Sequence, residues 1–431
     1  MLSALAAAAL VSRFPPPGTL GALCPVGNPS VVEARFQRRA CNGVQCGLCP
    51  FHCFLPEGVR GRCKVRMASG GRLKSLVYGR PVSVHIDPIE KKPVFHLLPG
   101  SWIYSLATAG CNLACRGCQN WEISQIHPEQ APAKLTVPAS LSLFQGPDGR
   151  VYGSVKTEEV SHLPPERVVE AALKTRSKSI AYTYSEPVVF YEYMYDTAKL
   201  AKSKGLRNVM VSGGYIDPAP LAELAPYMDV VKVDLKGFDP AFYKDFSGGE
   251  LGPVKRTLKT LKSLGVLTEV VNLVVPTLND RPEDLRALAG WVRDELGRDT
   301  PLFFSRFSPN YRLQNLPQTP DSTLTSARDA ALEAGLRFVY VGNLPGSPGE
   351  NTLCPKCGRV LVRRAGYAVL ENLLTPNKGR CPYDGTRIPG VWDDSMSSHQ
   401  TVTPALAAKS PCARCRGGRC PACWKKPGGT R

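Results

Sequence analysis

The chain has 431 residues, a hydrophobic fraction of 43% and a formal net charge of +18. This length allows one large domain with accessory modules, and the hydrophobic fraction allows a buried core. Most of the 16 cysteines fall in tight clusters with CxxC pairs, and no convincing secretory signal precedes them. The pattern argues against a secreted disulfide scaffold and favours metal ligation in a reducing compartment.

Residues 1–40 read as an extension to the folded protein. The apolar run near the start is shorter than the roughly 20 residues that cross a bilayer, and no basic region precedes it. The first acidic residue is Glu33, so an organellar transit peptide and an unstructured extension both fit. We therefore expect a cytoplasmic protein, or an organellar one if the extension is a transit peptide, with no membrane association.

Residues 41–66 form a first cysteine-rich module. Cys41 and His52 are spare candidate ligands that we expect to be bystanders. Four thiolates can enclose zinc or hold a second iron–sulfur cluster, and the same ligands serve both metals. The module carries four cysteines separated by two, three and nine residues: Cys46, Cys49, Cys53 and Cys63.

A β-rich bridge over 67–100 leads into the main domain, which we place at 101–343. An apolar run over 102–107 predicts a buried strand, and Cys111, Cys115 and Cys118 follow it. Cysteine sulfur is the soft ligand that iron–sulfur clusters prefer. A 4Fe–4S cube has four corners, so three cysteines leave one iron open for a substrate or cofactor. The alternatives are a zinc site with a fourth ligand elsewhere, or three unrelated buried cysteines. The spacing resembles the signature of the radical S-adenosylmethionine (SAM) superfamily.

Strand-like and helix-like segments alternate through the rest of this domain. Together with the strand before the cysteines they make six βα repeats, fewer than the eight of a full barrel. We therefore predict an α/β fold, a partial (βα)6 TIM-like radical SAM barrel, with residues 128–163 as an irregular surface excursion. The further strands are predicted near 179–184, 207–212, 229–235, 267–275 and 301–307, with helices that include 164–177, 188–204, 253–264 and 282–296.

Polar residues follow several of these strands, where a parallel barrel places its chemistry. A carboxylate beside the cluster can accept hydrogen bonds from a ligand ammonium group, and glycines let backbone amides approach a ligand. Alternation along the strand points Asp234 and Lys236 to the same side. The candidate cofactor-binding residues are Ser185, Glu186, Gly213, Gly214, Asp234 and Lys236.

Residues 344–395 predict a zinc-ribbon-like or rubredoxin-like module. Its ligand candidates have the spacing of two metal-binding knuckles: Cys354, Cys357, Cys381 and Asp384. Aspartate can bind zinc, but a site with three sulfurs and one oxygen is a departure from four cysteines.

Residues 396–431 form a basic tail. Seven Lys or Arg and no Asp or Glu lie between Ser397 and Arg431, which leaves nucleic-acid binding open as a role for this segment. The tail also carries two further CxxC pairs, which hold either a metal or free thiols: Cys412, Cys415, Cys420 and Cys423.

From about Cys46 to Trp392 the chain resembles the radical SAM component of the AmmeMemoRadiSam system, a branch close to the pyruvate formate-lyase activating enzymes. The motifs that carry the resemblance are CGLCPFHC, GRCKVR, DPIEKKPVFHLLPGS, CNLACRGCQNWEISQ, AYTYSEP, VDLKGFD, SRFSPNY, YVGN and IPGVW.

The resemblance implies that the three clustered cysteines hold a 4Fe–4S cluster whose open iron binds SAM. Glu186 would contact the SAM amino group, and Asp234 and Lys236 would form the Asp-x-Lys pair of activating enzymes. One electron, from a donor such as flavodoxin or ferredoxin, would cleave SAM to methionine and a 5′-deoxyadenosyl radical. That radical would abstract hydrogen from a protein or small-molecule substrate. The family also suggests Memo-like and AMMECR-like partners.

Two departures from the family pattern concern the SAM site. Gly117 stands where the family usually has an aromatic residue, and Ser212 begins a turn where an Asn-Gly-Tyr-like sequence is expected. Two other functions remain as alternatives. One is a radical SAM enzyme that modifies RNA, suggested by the basic tail and the knuckles. The other is a non-catalytic metal-binding scaffold.

Overall fold

The computed structural model describes residues 28–145 and 151–392. The basic tail with its four cysteines and residues 1–27 lie outside the described residues. The strands in the described part are β1 (Val32–Glu33), β2 (Gln37–Ala40), β3 (Gly43–Cys46), β4 (Phe54–Leu55), β5 (Arg66–Ser69), β6 (Arg72–Ser75), β7 (Pro81–Pro88), β8 (Trp102–Thr108), β9 (Leu135–Gln145), β10 (Val151–Val160), β11 (Ser179–Tyr182), β12 (Arg207–Ser212), β13 (Val230–Asp234), β14 (Leu267–Val274), β15 (Leu302–Arg306), β16 (Val339–Gly342), β17 (Thr352–Leu353), β18 (Val360–Ala365) and β19 (Ala368–Asn372).

The α-helices of the same part connect the strands of the main domain. Short 3-10 turns accompany several of them, and a π-helical turn over Val292–Leu296 extends the seventh. The helices are α1 (Trp121–Ser124), α2 (Pro165–Lys174), α3 (Tyr191–Ser203), α4 (Pro218–Leu224), α5 (Pro240–Ser247), α6 (Leu251–Ser263), α7 (Pro282–Trp291) and α8 (Asp321–Glu333).

A mostly parallel sheet of eight strands forms the centre, in the order β16-β15-β14-β13-β12-β11-β8-β7. Seven strands run parallel, and β7 pairs antiparallel with β8. The predicted α/β class is confirmed. Six parallel strands are each followed by an α-helix before the next strand, as predicted, and a seventh parallel strand follows the last of these repeats. The additional strand is β16, which is four residues long and was not predicted from the sequence. Strand β7 also brings part of the predicted bridge into the main sheet.

The two faces of the sheet are buried against different parts of the chain. On β13, Val231 and Val233 belong to the large apolar cluster that includes Leu258 and Leu261 of α6. Val230 faces the other way, into a cluster with Ile103 of β8 and Val209 of β12. Such alternation is expected for a parallel sheet that is covered on both faces.

The second face is covered by residues 88–100 and by the C-terminal module, rather than by helices. Leu97 and Leu98 lie in its apolar cluster, and the Leu98 N–H donates to the Val391 carbonyl at 2.8 Å. The buried Arg364 of β18 donates to the Phe95 carbonyl at 3.1 Å and lies 3.7 Å from Glu90. The module containing the predicted zinc ligands is therefore packed onto the main domain.

The N-terminal module consists of two small antiparallel sheets, β2-β3-β4 and β1-β6-β5. The module extends N-terminal of its predicted start at residue 41, because β1 and β2 lie within 32–40. A buried ion pair attaches it to the main domain: Arg66 of β5 donates two hydrogen bonds of 3.0 Å to Glu192 of α3.

The predicted surface excursion at 128–163 contains a regular element. Strands β9 and β10 pair antiparallel along their whole length, from Leu135 opposite Val160 to Gln145 opposite Val151. The Tyr104 hydroxyl donates to the Pro138 carbonyl at 3.0 Å and ties the base of this hairpin to β8. Among the described residues, every helix is too short or too polar to cross a lipid bilayer.

Candidate active site

A cleft of about 450 Å³ opens at the carboxyl ends of the parallel strands. Every one of the seven strands contributes to its wall, either at its last residues or just beyond them. This is where parallel α/β proteins place their ligands. Of the predicted site residues, the cleft brings together Cys111, Cys115, Cys118, Ser185, Glu186, Gly213, Asp234 and Lys236.

Backbone hydrogen bonds position the cysteine loop that follows β8. The Ala114 and Arg116 amides donate to the carbonyls of Ser247 and Phe246 at the end of α5, each at 2.8 Å. The Asn112 side chain donates to the Tyr215 carbonyl at 2.8 Å. The loop therefore contacts both the end of β12 and α5, and its conformation depends on the folded domain around it.

The three thiols of this loop meet the chemical requirements of an iron–sulfur cluster. Burial raises the pKa of Cys115 to about 11 and that of Cys111 well above its usual range, while Lys236 acts in the opposite direction on Cys115. Metal binding needs the thiolate form, so a cationic group beside the thiols favours ligation. Soft sulfur donors with a cationic neighbour fit a cluster that leaves one position open.

The structure explains how the chain manages without an aromatic side chain at Gly117. A Cβ atom at this position would lie 3.1 Å from the Phe307 ring, 3.5 Å from Leu313 and 3.6 Å from the Phe246 ring. Two aromatic rings from other parts of the chain therefore occupy the space beside the last cluster cysteine. A side chain larger than that of glycine at position 117 would therefore press on Phe307.

Glu186 lies at the wall of the cleft with its carboxylate turned toward the end of β12. It accepts hydrogen bonds from the Ser212 hydroxyl at 2.6 Å, the Gly213 amide at 2.8 Å and the Val188 amide at 3.2 Å. Burial raises the pKa of Glu186, and these donors and Lys236 oppose that effect. Ser212, a departure from the family pattern, thus holds the predicted SAM-binding carboxylate in place.

The two glycines of the same turn differ in position. Gly213 lines the cleft, where a Cβ atom would lie 3.3 Å from a carboxylate oxygen of Glu186. Gly214 is not part of the cleft wall. Its φ is +69°, and a Cβ atom there would lie 2.8 Å from Val233. Gly214 is therefore needed for the turn, and the geometry gives no support to a contact with a cofactor.

Asp234 stands between two lysines. Lys236 donates to its carboxylate at 2.8 Å, and Lys232 donates to the other oxygen. The lysines hold the pKa of Asp234 at about 2, and Asp234 raises the pKa of Lys236. Asp234 and Lys236 thus point to the same side, as alternation along the strand predicts, and their contact with SAM stays a prediction. Lys232 was missed, although its spacing of two residues from Asp234 placed it on the same face.

A second group of lysines in the cleft was also missed. Lys91 and Lys92 donate to Asp87 at 2.8 and 2.6 Å, and the Tyr184 hydroxyl donates to the same carboxylate. Burial lowers the pKa of Lys92 to about 8, although Asp87 opposes the shift. Asp87 and Lys92 belong to the DPIEKKPVF motif, but only the fold brings them beside Tyr184 at the end of β11.

The four cysteines of the N-terminal module line one partly enclosed cavity. Of the two spare candidates, Cys41 is exposed, and the His52 ring is hydrogen-bonded to the Asp217 carboxylate at 2.5 Å. Both lie outside the residues that line the cavity, as expected of bystanders. The residues predicted to form one site do converge: Cys46, Cys49, Cys53 and Cys63.

The C-terminal candidates form a tighter group. Among the described residues, this is the set whose ligand atoms all lie within 4.8 Å of one another: Cys354, Cys357, Cys381 and Asp384. One carboxylate oxygen of Asp384 accepts a hydrogen bond from the Thr386 amide at 2.8 Å, and the other oxygen accepts one from the Cys354 thiol. The Thr386 contact therefore helps to orient the carboxylate toward the thiols. Three sulfurs and one oxygen at this separation fit a single ion, and zinc remains the prediction for it.

Comparison with known proteins decides the class of this site. The profile of the radical SAM superfamily matches residues 105–289, which include the cysteine loop, Glu186 and Lys236. An uncharacterised protein of Methanocaldococcus jannaschii, MJ0808, is 43% identical over 348 residues, covering 80% of this chain and 95% of that protein. The chain belongs to the radical SAM superfamily. It is therefore an enzyme of radical chemistry that uses a 4Fe–4S cluster and SAM.

Two more distant similarities concern activating enzymes. The pyruvate formate-lyase-activating enzyme of Clostridium pasteurianum is 27% identical over 115 residues, 27% of this chain and 48% of that enzyme. A solved domain of such an enzyme from Bacteroides vulgatus has a TM-score of 0.35 and 11% identity, covering 39% of this chain and all of that domain. The first similarity is weak, and the second carries no argument about function.

Proposed function

We propose that this radical SAM enzyme acts as an activating-enzyme-like protein that abstracts hydrogen from a protein or small-molecule substrate, in the AmmeMemoRadiSam branch. One observation carries the proposal: the three cysteines of the loop open onto the same cleft as Glu186, Asp234 and Lys236. When bound, the cluster supplies the electron that cleaves SAM to methionine and a 5′-deoxyadenosyl radical.

In this proposal the side chains of the cleft bind and orient SAM. Glu186 accepts a hydrogen bond from the amino group of SAM, for which its Oε2 retains capacity because that oxygen accepts only the Gly213 amide. Lys236 and Asp234 provide a donor and an acceptor beside it. Glu186 is buried and Asp234 and Lys236 are partly buried, which limits their contact with water and strengthens these interactions.

The cleft has room and charge for a second molecule beyond SAM. Lys91 and Lys92 also line its wall, and Ser305 and Asn343 extend the wall along β15 and β16. The lysines of the cleft outnumber its carboxylates, which favours a substrate with an anionic group. A one-electron donor such as flavodoxin or ferredoxin is part of this proposal, as are Memo-like and AMMECR-like partners.

The test is formation of 5′-deoxyadenosine from SAM by anaerobically reconstituted, chemically reduced protein. We expect product from the wild-type chain. Cys115→Ala should lose about four irons per chain and fall to background, because a 4Fe–4S cluster needs each of its three thiolates. Cys41→Ser is the matched control, because Cys41 is exposed and lines neither the active-site cleft nor the N-terminal cavity, and it should retain iron and activity. Unchanged iron and SAM cleavage in Cys115→Ala would contradict the proposal.

Glu186→Gln separates SAM binding from cluster binding. We expect iron content to remain, while SAM affinity falls by roughly 10-fold to 100-fold, because a hydrogen bond to a charged partner is lost. Equilibrium binding of SAM to the reconstituted variant measures this. If affinity is unchanged, Glu186 is a structural residue of the turn and not a SAM ligand.

A further inference from the structure

The N-terminal cavity lies directly behind the cysteine loop of the active site. Asn112, the neighbour of Cys111, lines it together with the four thiols of the module, and the Asn112 side chain contacts the Cys49 thiol. Gly110 approaches from the same side, where a Cβ atom would lie 2.6 Å from the Cys63 carbonyl oxygen. Adjacent residues of the loop therefore border the two spaces, Asn112 the N-terminal cavity and Cys111 the active-site cleft.

The spacing of the thiols distinguishes two kinds of site in this chain. In the C-terminal module the ligand atoms all lie within 4.8 Å, as a single tetrahedral ion requires. The four N-terminal thiols do not form such a close group among the described residues, although they line one cavity. The same is true of Cys111, Cys115 and Cys118, to which family membership gives a 4Fe–4S cluster. The N-terminal set resembles the cluster set and differs from the single-ion set.

The cavity also contains buried polar atoms without partners. The Arg66 Nε–H and the Asn112 Oδ1 are buried, line the cavity and have no hydrogen-bond partner in the structure. A buried unpaired polar atom is costly, so such atoms indicate a group that is absent here. The Arg66 N–H is a donor of the kind that bonds the sulfurs of iron–sulfur clusters.

We propose that Cys46, Cys49, Cys53 and Cys63 hold a second 4Fe–4S cluster, through which the electron reaches the active-site cluster. Four thiolates close such a cluster, so it has no open iron and cleaves no SAM. Cys49 and Cys53 are partly exposed, which gives an external donor access from the surface. One electron leaves a reduced flavodoxin or ferredoxin, passes to the N-terminal cluster and then to the active-site cluster, and no bond or proton changes place.

Metal analysis of the full chain after anaerobic reconstitution tests occupancy. Two clusters correspond to about eight irons per chain, and Cys49→Ser should lose about four of them. Cys41→Ser should retain all, and Cys357→Ser should retain the iron and lose any zinc of the C-terminal module. About four irons in the wild type, with zinc instead of iron lost in Cys49→Ser, would overturn the proposal. An unchanged metal content in Cys49→Ser would also overturn it.

Electron paramagnetic resonance on Cys115→Ala keeps the test valid if Cys49→Ser does not fold. This variant leaves the N-terminal module intact, so it should retain about four irons and a reduced-cluster signal that SAM does not alter. Absence of any cluster signal in Cys115→Ala would contradict a second cluster.

The electron-transfer half of the proposal rests on the proposed function, whereas occupancy does not. With a protein donor, Cys49→Ser should form no 5′-deoxyadenosine above background, while a small chemical reductant should restore product. Full activity of Cys49→Ser with the protein donor would overturn the relay. Failure of the wild type with both reductants would instead refute the proposed function, and the iron count would still decide occupancy.

Discussion

At the scale of single residues, the site depends on which buried charges are compensated. Two lysines compensate Asp234 and two others compensate Asp87, so both carboxylates stay ionised although Asp87 is buried and Asp234 is partly buried. Glu186 is compensated by neutral donors instead. That arrangement leaves it able to accept a further cationic donor such as the ammonium group of SAM.

Glu269 is a buried carboxylate outside the cleft that makes stability depend on pH. It accepts the Phe95 and His96 amides at 3.0 Å, and burial raises its pKa to about 7 from an ordinary value of 4.5. A raised carboxyl pKa means that the folded state favours the neutral acid. The stabilisation is therefore complete below pH 4.5 and is lost as pH rises toward 7.

The corresponding prediction concerns Glu269→Gln. The wild-type free energy of unfolding should lose about 3 kcal/mol from this group between pH 4.5 and pH 7, and the variant should lack that slope. Gln has no charge, and its carbonyl oxygen can accept both amides. Denaturant unfolding at several pH values measures the difference, with the exposed substitution Glu333→Gln as control. Parallel pH profiles for the wild type and Glu269→Gln would contradict this assignment.

At the scale of elements, the cysteine loop is the junction between the sheet and the N-terminal module. Gly110 lies two residues after the end of β8 and has a φ of +95°. The loop then follows the end of α5 through two backbone hydrogen bonds, and Asn112 contacts Tyr215 in the turn after β12. The geometry of the three thiols therefore depends on elements that are far apart in the sequence.

Gly110→Ala tests this junction. A Cβ atom would lie 2.6 Å from both the Cys63 carbonyl oxygen and the Val65 side chain, in addition to the strain of a positive φ. Gly205 also has a positive φ, of +79°, but nothing lies within 4 Å of its added Cβ. Gly205→Ala should therefore cost about 1 kcal/mol, and Gly110→Ala at least about 3 kcal/mol.

Thermal unfolding measures how much each substitution destabilises the protein, and iron content after reconstitution measures its effect on the cysteine loop. Gly110→Ala should also retain less iron after reconstitution, because the Cys63 segment and the loop must both shift. Equal destabilisation by the two substitutions would show that the loop does not pack tightly against the N-terminal module.

At the scale of the whole molecule, the C-terminal module is a structural part of the main domain. Its buried Arg364 donates to the Phe95 and Glu350 carbonyls and to Thr352, and it lies beside Glu90. Glu90 is buried and accepts the Gly100 amide at 3.0 Å. A charge pair of this kind contributes little net stability but is costly to break on one side.

Arg364→Met should therefore destabilise the protein by about 3–5 kcal/mol, because Glu90 stays buried without its cation. The double variant Arg364→Met with Glu90→Gln should recover part of this loss, since no unpaired charge remains. Thermal unfolding of the two single variants and the double variant completes the cycle. Additive losses would show that the two side chains do not interact energetically.

The sequence by itself determined the chemistry and most of the element order. The spacing of Cys111, Cys115 and Cys118 after a strand indicated a cluster because local spacing alone brings three thiols onto one loop. Strands β11 to β15 were predicted within a few residues, since buried parallel strands read as short apolar runs. The metal-binding knuckles of the C-terminal module were identified because their ligands, like the loop cysteines, lie only a few residues apart in the sequence.

Only the tertiary structure decided which distant residues share the cleft. Lys92 and Asp87 precede the cysteine loop in the chain, yet both contact Tyr184 just after β11, Lys92 over the ring and Asp87 at the hydroxyl. Ser212 is a departure from the family pattern in the sequence, and only the fold shows that its hydroxyl donates a hydrogen bond to Glu186. Such contacts depend on how the strands align in the sheet and on what covers its second face, and short-range sequence patterns carry no information about either.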